Sequence, residues 1–245
     1  MNKKFEFTGE TKAILGNTLH RIRALISFGE VEAGELGGWI EKEENLDASG
    51  NAWVSGNAQV SGNACVSGNA RVYGDARVSG NACVYGDAWV FDNARVDGDA
   101  CVYGDARVYG DACASGNAWV SGNAQVSGNA CVSGNARVYG DARVSGNAWV
   151  YGDACVYGDA RVYKRGAIFW ISNVGSRDDT ATFFACRDKK IKVIVGCFFG
   201  DLDAFAAAVQ KTHGDNTYAK VYRLAIEMAK ERIKMDDMPE ESNDG

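Results

Sequence analysis

The stretch Ala-Arg-Val-Tyr-Gly-Asp at residues 70–75 is one unit of a six-residue repeat that decides the fold of half the chain. The pattern Val-Ser/Tyr-Gly-Asn/Asp-Ala-x runs from Leu46 to Tyr163 without insertion or deletion, and in that run Ala114 takes one valine slot. Ala and Val flank a variable residue, which predicts a short strand with Ala and Val pointing inward. The Ser/Tyr-Gly-Asn/Asp triplet predicts a corner, because Gly and Asn or Asp tolerate left-handed backbone.

A strand and a corner in every six residues cannot form a flat sheet. They predict a three-sided prism whose coils stack by parallel pairing, since a hexapeptide period is typical of a parallel β-helix. Residues 46–163 would make about six and a half triangular coils, ~30 Å long at a strand spacing of ~4.8 Å. The open ends of such a prism are exposed sheet edges, so we expect a cap at each end.

The repeat resembles the hexapeptide-repeat, left-handed parallel β-helix superfamily, many of whose members are trimeric acyltransferases. The resemblance covers residues 46–163, and this chain places its Gly one position later than is usual in that family. It implies a left-handed parallel β-helix. A repeat followed by a tail also resembles uncharacterised phage and prophage proteins, which implies a protein of the bacterial cytoplasm or of a phage-infected host cell.

Four regions follow from the change in pattern along the chain, and the fold class is mainly β. Residues 1–45 predict a β-rich cap in which Trp39 or Ile40 covers the open core. After the repeat, residues 164–235 predict a small α+β unit, with strands at 168–171, 180–185 and 191–199 and two helices capped by Asp201 and Asn216. The acidic segment 236–245 is predicted to be disordered.

The variable positions can be sorted by the 18-residue coil, which places every third unit on the same side. The resulting columns are a first side (Trp53, Arg71, Trp89, Arg107, Gln125, Arg143, Arg161), a second side (Gln59, Arg77, Arg95, Cys113, Cys131, Trp149) and a third side (Cys65, Cys83, Cys101, Trp119, Arg137, Cys155). On the first side, stacked guanidinium and indole groups could bind an anionic or planar ligand. The candidate ligand-binding residues are Trp53, Arg71, Trp89, Arg107, Arg143 and Arg161; the alternative is a regular, solubilising surface.

The eight cysteines are expected to be free thiols of an intracellular protein. Cys65, Cys83 and Cys101 would stack on successive coils, where a disulfide or a soft-metal site are alternatives to free thiols. No His accompanies them, so we expect no metal site and no cofactor.

Residues 49–90 and 115–156 are identical except at two positions, which indicates duplication of a whole block. The offset is eleven units, which is not a multiple of three, so each copied side chain moves to another side of the prism. Trp53 on the first side, for example, is copied as Trp119 on the third. A catalytic site tied to one side would be broken up by this shift, which favours a scaffold.

Enzymes of the resembled superfamily generally use a His beside a loop that projects from the coils. The two His of this chain, His20 and His213, lie outside the repeat. His213 ends a predicted helix, where the helix dipole favours a cation. We therefore interpret His213 as a helix-capping residue and keep it as a weak catalytic candidate.

Composition narrows the remaining function classes. The net charge is −6 without a basic segment, which argues against a nucleic-acid binder, and no apolar run is long enough to span a membrane. The polar turn Ser176, Arg177, Asp178 and Asp179 is a candidate partner-binding cluster, although a plain surface turn is the alternative. The leading hypothesis is a non-catalytic scaffold that presents its C-terminal unit to a protein partner or to itself as a dimer or trimer. A divergent acyl- or nucleotidyl-group transferase and a small-anion sponge using the first side are the alternatives.

Overall fold

A computed structural model describes residues 3–14, 16–235 and 238 of the chain. Its central part is a parallel β-solenoid built from two-residue strands, one in each repeat unit. The first side holds β4 Trp53–Val54, β7 Arg71–Val72, β10 Trp89–Val90, β13 Arg107–Val108, β16 Gln125–Val126, β19 Arg143–Val144 and β22 Arg161–Val162. The second holds β5 Gln59–Val60, β8 Arg77–Val78, β11 Arg95–Val96, β14 Cys113–Ala114, β17 Cys131–Val132 and β20 Trp149–Val150. The third holds β6 Cys65–Val66, β9 Cys83–Val84, β12 Cys101–Val102, β15 Trp119–Val120, β18 Arg137–Val138 and β21 Cys155–Val156.

This arrangement confirms the predicted sides and their 18-residue period. Parallel pairing sets Trp89 between Arg71 and Arg107, and each Val beside the Val of the next coil. The prediction of about six and a half coils is close to the roughly seven turns that the structure has. The left-handed sense of the coil stays a prediction from the resemblance.

The solenoid core is a column of small side chains. The Ala and Val of the repeat are essentially without solvent exposure from Ala52 to Val162, and Ala114 simply takes one valine place. Backbone hydrogen bonds run along the axis, as from the Trp53 N–H to the Ala70 carbonyl at 3.0 Å. Because the core is thin, stability depends on these stacked contacts between neighbouring coils.

The corner glycines are required by both conformation and stacking. Gly134 has φ +69°, and a Cβ added there would lie 2.9 Å from the backbone nitrogen of Gly152 on the next coil. Asp92 is the one corner without Gly; it keeps φ +58°, and its carboxylate accepts a hydrogen bond from the Gly110 N–H at 3.1 Å. Asp tolerates this left-handed backbone better than other side chains.

Side-chain amides form a second set of ladders at the corners. Asn51 donates to Asn69, and Asn69 donates to Asp87, each at 3.0 Å. A parallel ladder of this kind joins Asn63, Asn81 and Asp99, and it begins with Lys42, whose ammonium donates to Asn63 at 2.9 Å. An ionised Asp can accept but not donate, so an Asp ends each ladder that it enters.

The N-terminal cap joins the solenoid directly. Strands β1 Phe5–Ile14 and β2 Asn17–Ala24 form an antiparallel hairpin, and β3 Leu36–Ile40 pairs antiparallel with β2 but parallel with β5. The first parallel rung therefore lies ahead of the predicted start at residue 46, and a short 3-10 helix follows it at Glu43–Asn45. Ile40 is fully buried over the core, as predicted, whereas Trp39 lies on the outer surface beneath Lys12, whose Nζ is 4.3 Å from the ring centre.

The C-terminal unit contains one strand more than the sequence predicts. A 3-10 helix, Arg165–Ala167, leads into a four-stranded antiparallel sheet of β23 Ile168–Val174, β24 Asp179–Ala185, β25 Ile191–Val195 and β26 Phe198–Asp201. The predicted third strand, 191–199, is wrong because a turn at Gly196, with φ +55°, divides it in two.

Two helices complete the unit and begin at the predicted caps. Helix α1 is Leu202–His213, with Asp201 accepting from the Ala204 N–H, and α2 is Thr217–Arg232, with Asn216 accepting from the Ala219 N–H. The helical period of the sequence predicts one apolar side of α2 with Tyr218, Val221, Tyr222, Ala225, Met228 and Ala229. This prediction is partly wrong. Tyr218 and Met228 face solvent, while Ile226, which was not assigned to that face, is buried. The predicted disordered tail lies outside the described residues except for Met238.

Candidate functional site

On the first side, the outward side chains of the early coils engage one another. The Trp89 ring lies between two guanidinium groups, 5.7 Å from that of Arg71 and 5.0 Å from that of Arg107. Arg71 also forms an ion pair with Glu30 of the N-terminal cap. Beside this column, Tyr73, Phe91 and Tyr109 stack in parallel with ring centres 4.9 Å apart. These contacts stabilise the surface and leave less of it for a ligand.

The structure removes two of the six predicted ligand-binding residues from that surface. Trp53 is 4% exposed and packs edge-on against Phe28 under the N-terminal cap, so it belongs to the core. Arg161 donates to the backbone carbonyl groups of Asp141, Asp159 and Ala160 at the last coil. No local pattern in residues 28–31 predicts that this segment folds over Trp53. Arg71, Trp89, Arg107 and Arg143 remain in the outward column.

The cysteines differ from the expectation at one pair. Cys113 and Cys131 on the second side form a disulfide across neighbouring coils, with Cα atoms 4.7 Å apart. Cys65, Cys83 and Cys101 are free thiols, as predicted. Burial raises the pKa of the Cys65 and Cys101 thiols, and the neighbouring Cys83 raises it further. Burial and the neighbouring thiol therefore disfavour the thiolate form of Cys65 and Cys101, which is the reactive form.

The C-terminal unit carries a cleft, which we call the C-terminal cleft, of about 370 Å³. It lies where the β23–β24 turn and the β25–β26 turn meet the two helices. Ser176, Arg177 and Asp179 of the predicted partner-binding cluster form part of its rim, and Phe205, Val209 and Tyr222 are among its apolar lining residues. Asp178, at φ +52°, belongs to the turn but does not line the cleft.

His213 also lines the C-terminal cleft, as does the exposed thiol of Cys197. The His213 ring lies 5.8 Å from that of Tyr218 and 5.9 Å from that of Tyr222. Among the described residues, no hydrogen bond joins His213 to a nucleophile or to a carboxylate. Nucleophilic catalysis uses such a contact between nucleophile and base.

One side of the C-terminal cleft is held in place by a close backbone contact. The Tyr222 hydroxyl lies against Gly175, where an added Cβ would come within 2.0 Å of it. Burial raises the pKa of Tyr222, and the charge of Asp179 raises it further, so the phenol is neutral at physiological pH. Gly175 has φ +76°, which also favours glycine at this position. The lack of a side chain at residue 175 therefore allows α2 to approach the β23–β24 turn.

Helix α2 exposes an apolar stripe that the sequence pattern does not predict. Leu224 is 66% exposed and Met228 is 52% exposed, while Val221 on the same face is half-buried. We call Val221, Leu224 and Met228 the α2 stripe. The opposite residues Tyr222, Ala225, Ile226 and Ala229 pack into the unit. A helix that is apolar on two faces was the available signal, but the pattern alone does not say which face is inside.

Where the C-terminal unit meets the last coil, an acidic cluster surrounds a lysine. Lys192 lies 2.7 Å from a carboxylate oxygen of Asp159 and 3.6 Å from one of Asp188, next to the buried Cys186. Burial alone would raise the pKa of Asp159, but the hydrogen bond and charge of Lys192 outweigh it and lower that pKa. The ammonium group offsets one of the two carboxylate charges and joins the last coil to the C-terminal unit, which favours a structural role.

The stacked corners, the parallel rungs and the thin Ala/Val core define a repeat β-solenoid protein. The chain is similar to the YdcK β-solenoid repeat, whose family model matches residues 58–74, 64–78, 70–86, 76–91, 124–138 and 136–152. These matches lie within the duplicated block, apart from the single residue 91, and do not extend into the C-terminal unit. No curated protein matches the chain in sequence. Within the described residues, no helix is both long enough and apolar enough to cross a membrane.

Proposed function

We propose that this is a non-catalytic binding protein in which the solenoid is a spacer and the C-terminal unit recognises a protein partner. The observation that carries the proposal is the α2 stripe, since Leu224 and Met228 each leave more than half of their surface in water. Exposed apolar groups that lie together on one face are typical of protein-interaction surfaces. A stripe at residues 221, 224 and 228 has the spacing with which one helix face contacts a partner.

The C-terminal cleft supports the same proposal. It offers an apolar floor at Phe205 and Val209 with a charged rim at Arg177 and Asp179. Interfaces commonly combine an apolar centre with a polar rim. The α2 stripe and the C-terminal cleft share helix α2, because Tyr222 lines the cleft. A partner that contacts both would use the apolar stripe for affinity and the charged rim for selectivity.

The solenoid fits a spacer because its outward groups are largely used within the solenoid. The Arg–Trp column, the aromatic stack and the amide ladders each join one coil to the next. Such repeated contacts give a stiff rod with little surface that is unique.

The finer parts of the proposal rest on the sequence resemblance. We propose membership of the hexapeptide-repeat superfamily, a bacterial cytoplasmic location and a phage or prophage origin with a host factor as partner. Six free thiols support a reducing compartment, whereas the Cys113–Cys131 disulfide is more typical of an oxidising one. As an alternative to a host factor, a second copy of this chain could cover the α2 stripe in a dimer or trimer.

The test is affinity capture from bacterial lysate with quantitative mass spectrometry, followed by binding of the identified partner in purified form. Leu224→Glu should abolish capture, because it puts a charge at the centre of the apolar stripe. Trp119→Glu is the matched control: Trp119 is 44% exposed on the third side of the solenoid and should not affect capture. Sedimentation of the purified protein detects the self-association alternative. Loss of the partner with Trp119→Glu but not with Leu224→Glu would contradict the proposal.

A divergent acyl- or nucleotidyl-group transferase is a second candidate, because His213 and Cys197 line the same cleft. It predicts that an acyl carrier or a nucleotide raises the thermal unfolding temperature and that His213→Ala abolishes this shift. The scaffold proposal predicts that neither ligand changes the unfolding temperature.

A further inference from the structure

A second concave surface lies between the last coil and the C-terminal sheet, distinct from the C-terminal cleft. We call it the junction cleft; its volume is about 460 Å³, in the range of small-molecule sites. The solenoid contributes Trp149 and Tyr151, and strand β23 contributes Phe169 and Trp170. Its two cations are Arg165, from the 3-10 helix, and Arg232, at the end of α2.

The aromatic side chains of the junction cleft are unusually accessible. Trp149 is 47% exposed and Tyr151 is 50% exposed, although both rings are held in place by neighbours. Tyr151 meets Trp170 at right angles with ring centres 4.4 Å apart, and the Arg165 guanidinium lies 4.0 Å from the Trp149 ring centre. Preorganised and exposed aromatic surface is suited to stacking on a planar ring.

The charge of the junction cleft contrasts with that of the whole protein. The chain has a net charge of −6, yet none of the described residues that line this cleft carries a carboxylate. The C-terminal cleft, by comparison, is lined by Asp179. Among the described residues, neither Arg165 nor Arg232 has an ion-pair partner. Arg165 packs over the Trp149 ring, and a guanidinium group stacked in this way can still bind an anion through its in-plane N–H groups. Arginine binds phosphate through paired N–H groups, which places two such sites beside the aromatic surface.

From this combination we infer that the junction cleft binds a nucleoside monophosphate. The base stacks on the exposed aromatic surface of Trp149 and Tyr151, and Arg165 and Arg232 bind the phosphate. The site is independent of partner recognition through the α2 stripe, because it uses other residues.

The test is isothermal titration calorimetry of the full chain with adenosine, guanosine, cytidine and uridine 5′-monophosphates. We expect saturable binding of at least one of these nucleotides at one site. The corresponding nucleoside, and inorganic phosphate alone, should each bind at least about tenfold more weakly. Trp149→Ala and Arg232→Gln should each lower the affinity for the nucleotide that binds best by about tenfold. Trp119→Ala is the matched control, because Trp119 is similarly exposed and also carries an arginine, Arg137, 5.4 Å from its ring centre.

Three results would overturn the inference. One is no saturable binding of any of the four nucleotides at concentrations up to ~5 mM, well beyond a millimolar Kd. Another is an equal loss of nucleotide affinity in Trp119→Ala and Trp149→Ala, which would indicate nonspecific contact with exposed indoles. The third is equal affinity for a nucleoside and its monophosphate, which would remove the role of the arginines. Arg232→Gln keeps the test valid if Trp149→Ala does not fold, because Arg232 is exposed at a helix end.

Discussion

The solenoid and the C-terminal unit differ in what their outward side chains contact. In the solenoid, most side chains have an equivalent 18 residues away, and the two contact each other, as in the step from Asn69 to Asp87. In the C-terminal unit each side chain occurs once, and Leu224 and Met228 contact little of their own chain. Repetition therefore supplies length and stiffness, whereas specificity can arise where the repetition stops.

The largest predicted effect is at the solenoid corners. Gly134 and Gly152 occupy the same corner column with φ of +69° and +67°, but only Gly134 has the backbone of a further coil against it. Gly152→Ala should cost about 1–2 kcal/mol of unfolding free energy from left-handed backbone alone. Gly134→Ala should cost about 1–3 kcal/mol more, because its Cβ meets the next coil. Urea unfolding of both variants measures the difference, and equal losses would mean that stacking does not restrict the corners.

The next effect concerns the C-terminal cleft. Gly175→Ala places a methyl group against the Tyr222 hydroxyl and should destabilise the protein by about 2 kcal/mol. Hydrogen exchange should show faster exchange of the backbone amides in α2 and unchanged exchange in the central coils. Tyr222→Phe in the same background removes the hydroxyl and should recover part of the stability. An unchanged exchange rate in α2 would show that the cleft does not depend on this contact.

The junction between the two regions should respond to pH. Lys192→Met removes the partner of Asp159 and should cost about 1–2 kcal/mol at pH 7, as for a charged hydrogen bond near the surface. The Asp159 pKa is lowered from 3.8, so its contribution is present above that pH and is lost as the pH falls through the lowered pKa. The Lys192 pKa is raised from 10.5, chiefly by Asp159 against the opposing effect of burial, so its contribution is lost only above that pH.

Urea unfolding from pH 2 to pH 11 checks this window. The difference between wild type and Lys192→Met should be constant from about pH 5 to 10 and should shrink towards both ends. A difference that grows at low pH would contradict the ion-pair interpretation.

The smallest effect on stability is expected at the α2 stripe itself. Leu224→Glu should change the unfolding free energy by no more than ~0.5 kcal/mol, because the side chain is mostly in water already. Thermal unfolding by circular dichroism measures this. A loss of several degrees would mean that Leu224 packs within the chain, and the α2 stripe would no longer count as a free surface.

The sequence predicts the solenoid more completely than it predicts the C-terminal unit. The three sides and the inward Ala and Val were predicted correctly, because every unit repeats the same pattern of apolar, variable and turn residues. In the C-terminal unit, the caps Asp201 and Asn216 were predicted because each cap is a local signal. The split at Gly196 and the exposure of Met228 depend on tertiary packing, which a single sequence pattern does not encode. For the same reason, the sequence placed Trp53 on a binding surface although a distant segment covers it.

The candidate sites show the same limit. The turn that contains Ser176 and Arg177 is far from His213 in the sequence, and the turn and the histidine were interpreted separately. The fold brings them to one cleft because the β23–β24 turn lies beside the end of α1. The junction cleft likewise joins residues 149 and 232, which no sequence spacing connects.

The most direct test of the account is to shorten the solenoid by one whole coil. Deleting residues 82–99 joins Asn81 to Ala100, preserves the repeat and the three sides, and removes Trp89 from the first side. If the solenoid is a spacer, the shortened protein unfolds cooperatively and still captures every partner whose capture is abolished by Leu224→Glu. A shortened protein that remains folded but no longer captures those partners would show that the solenoid surface, and not its end, makes the recognition.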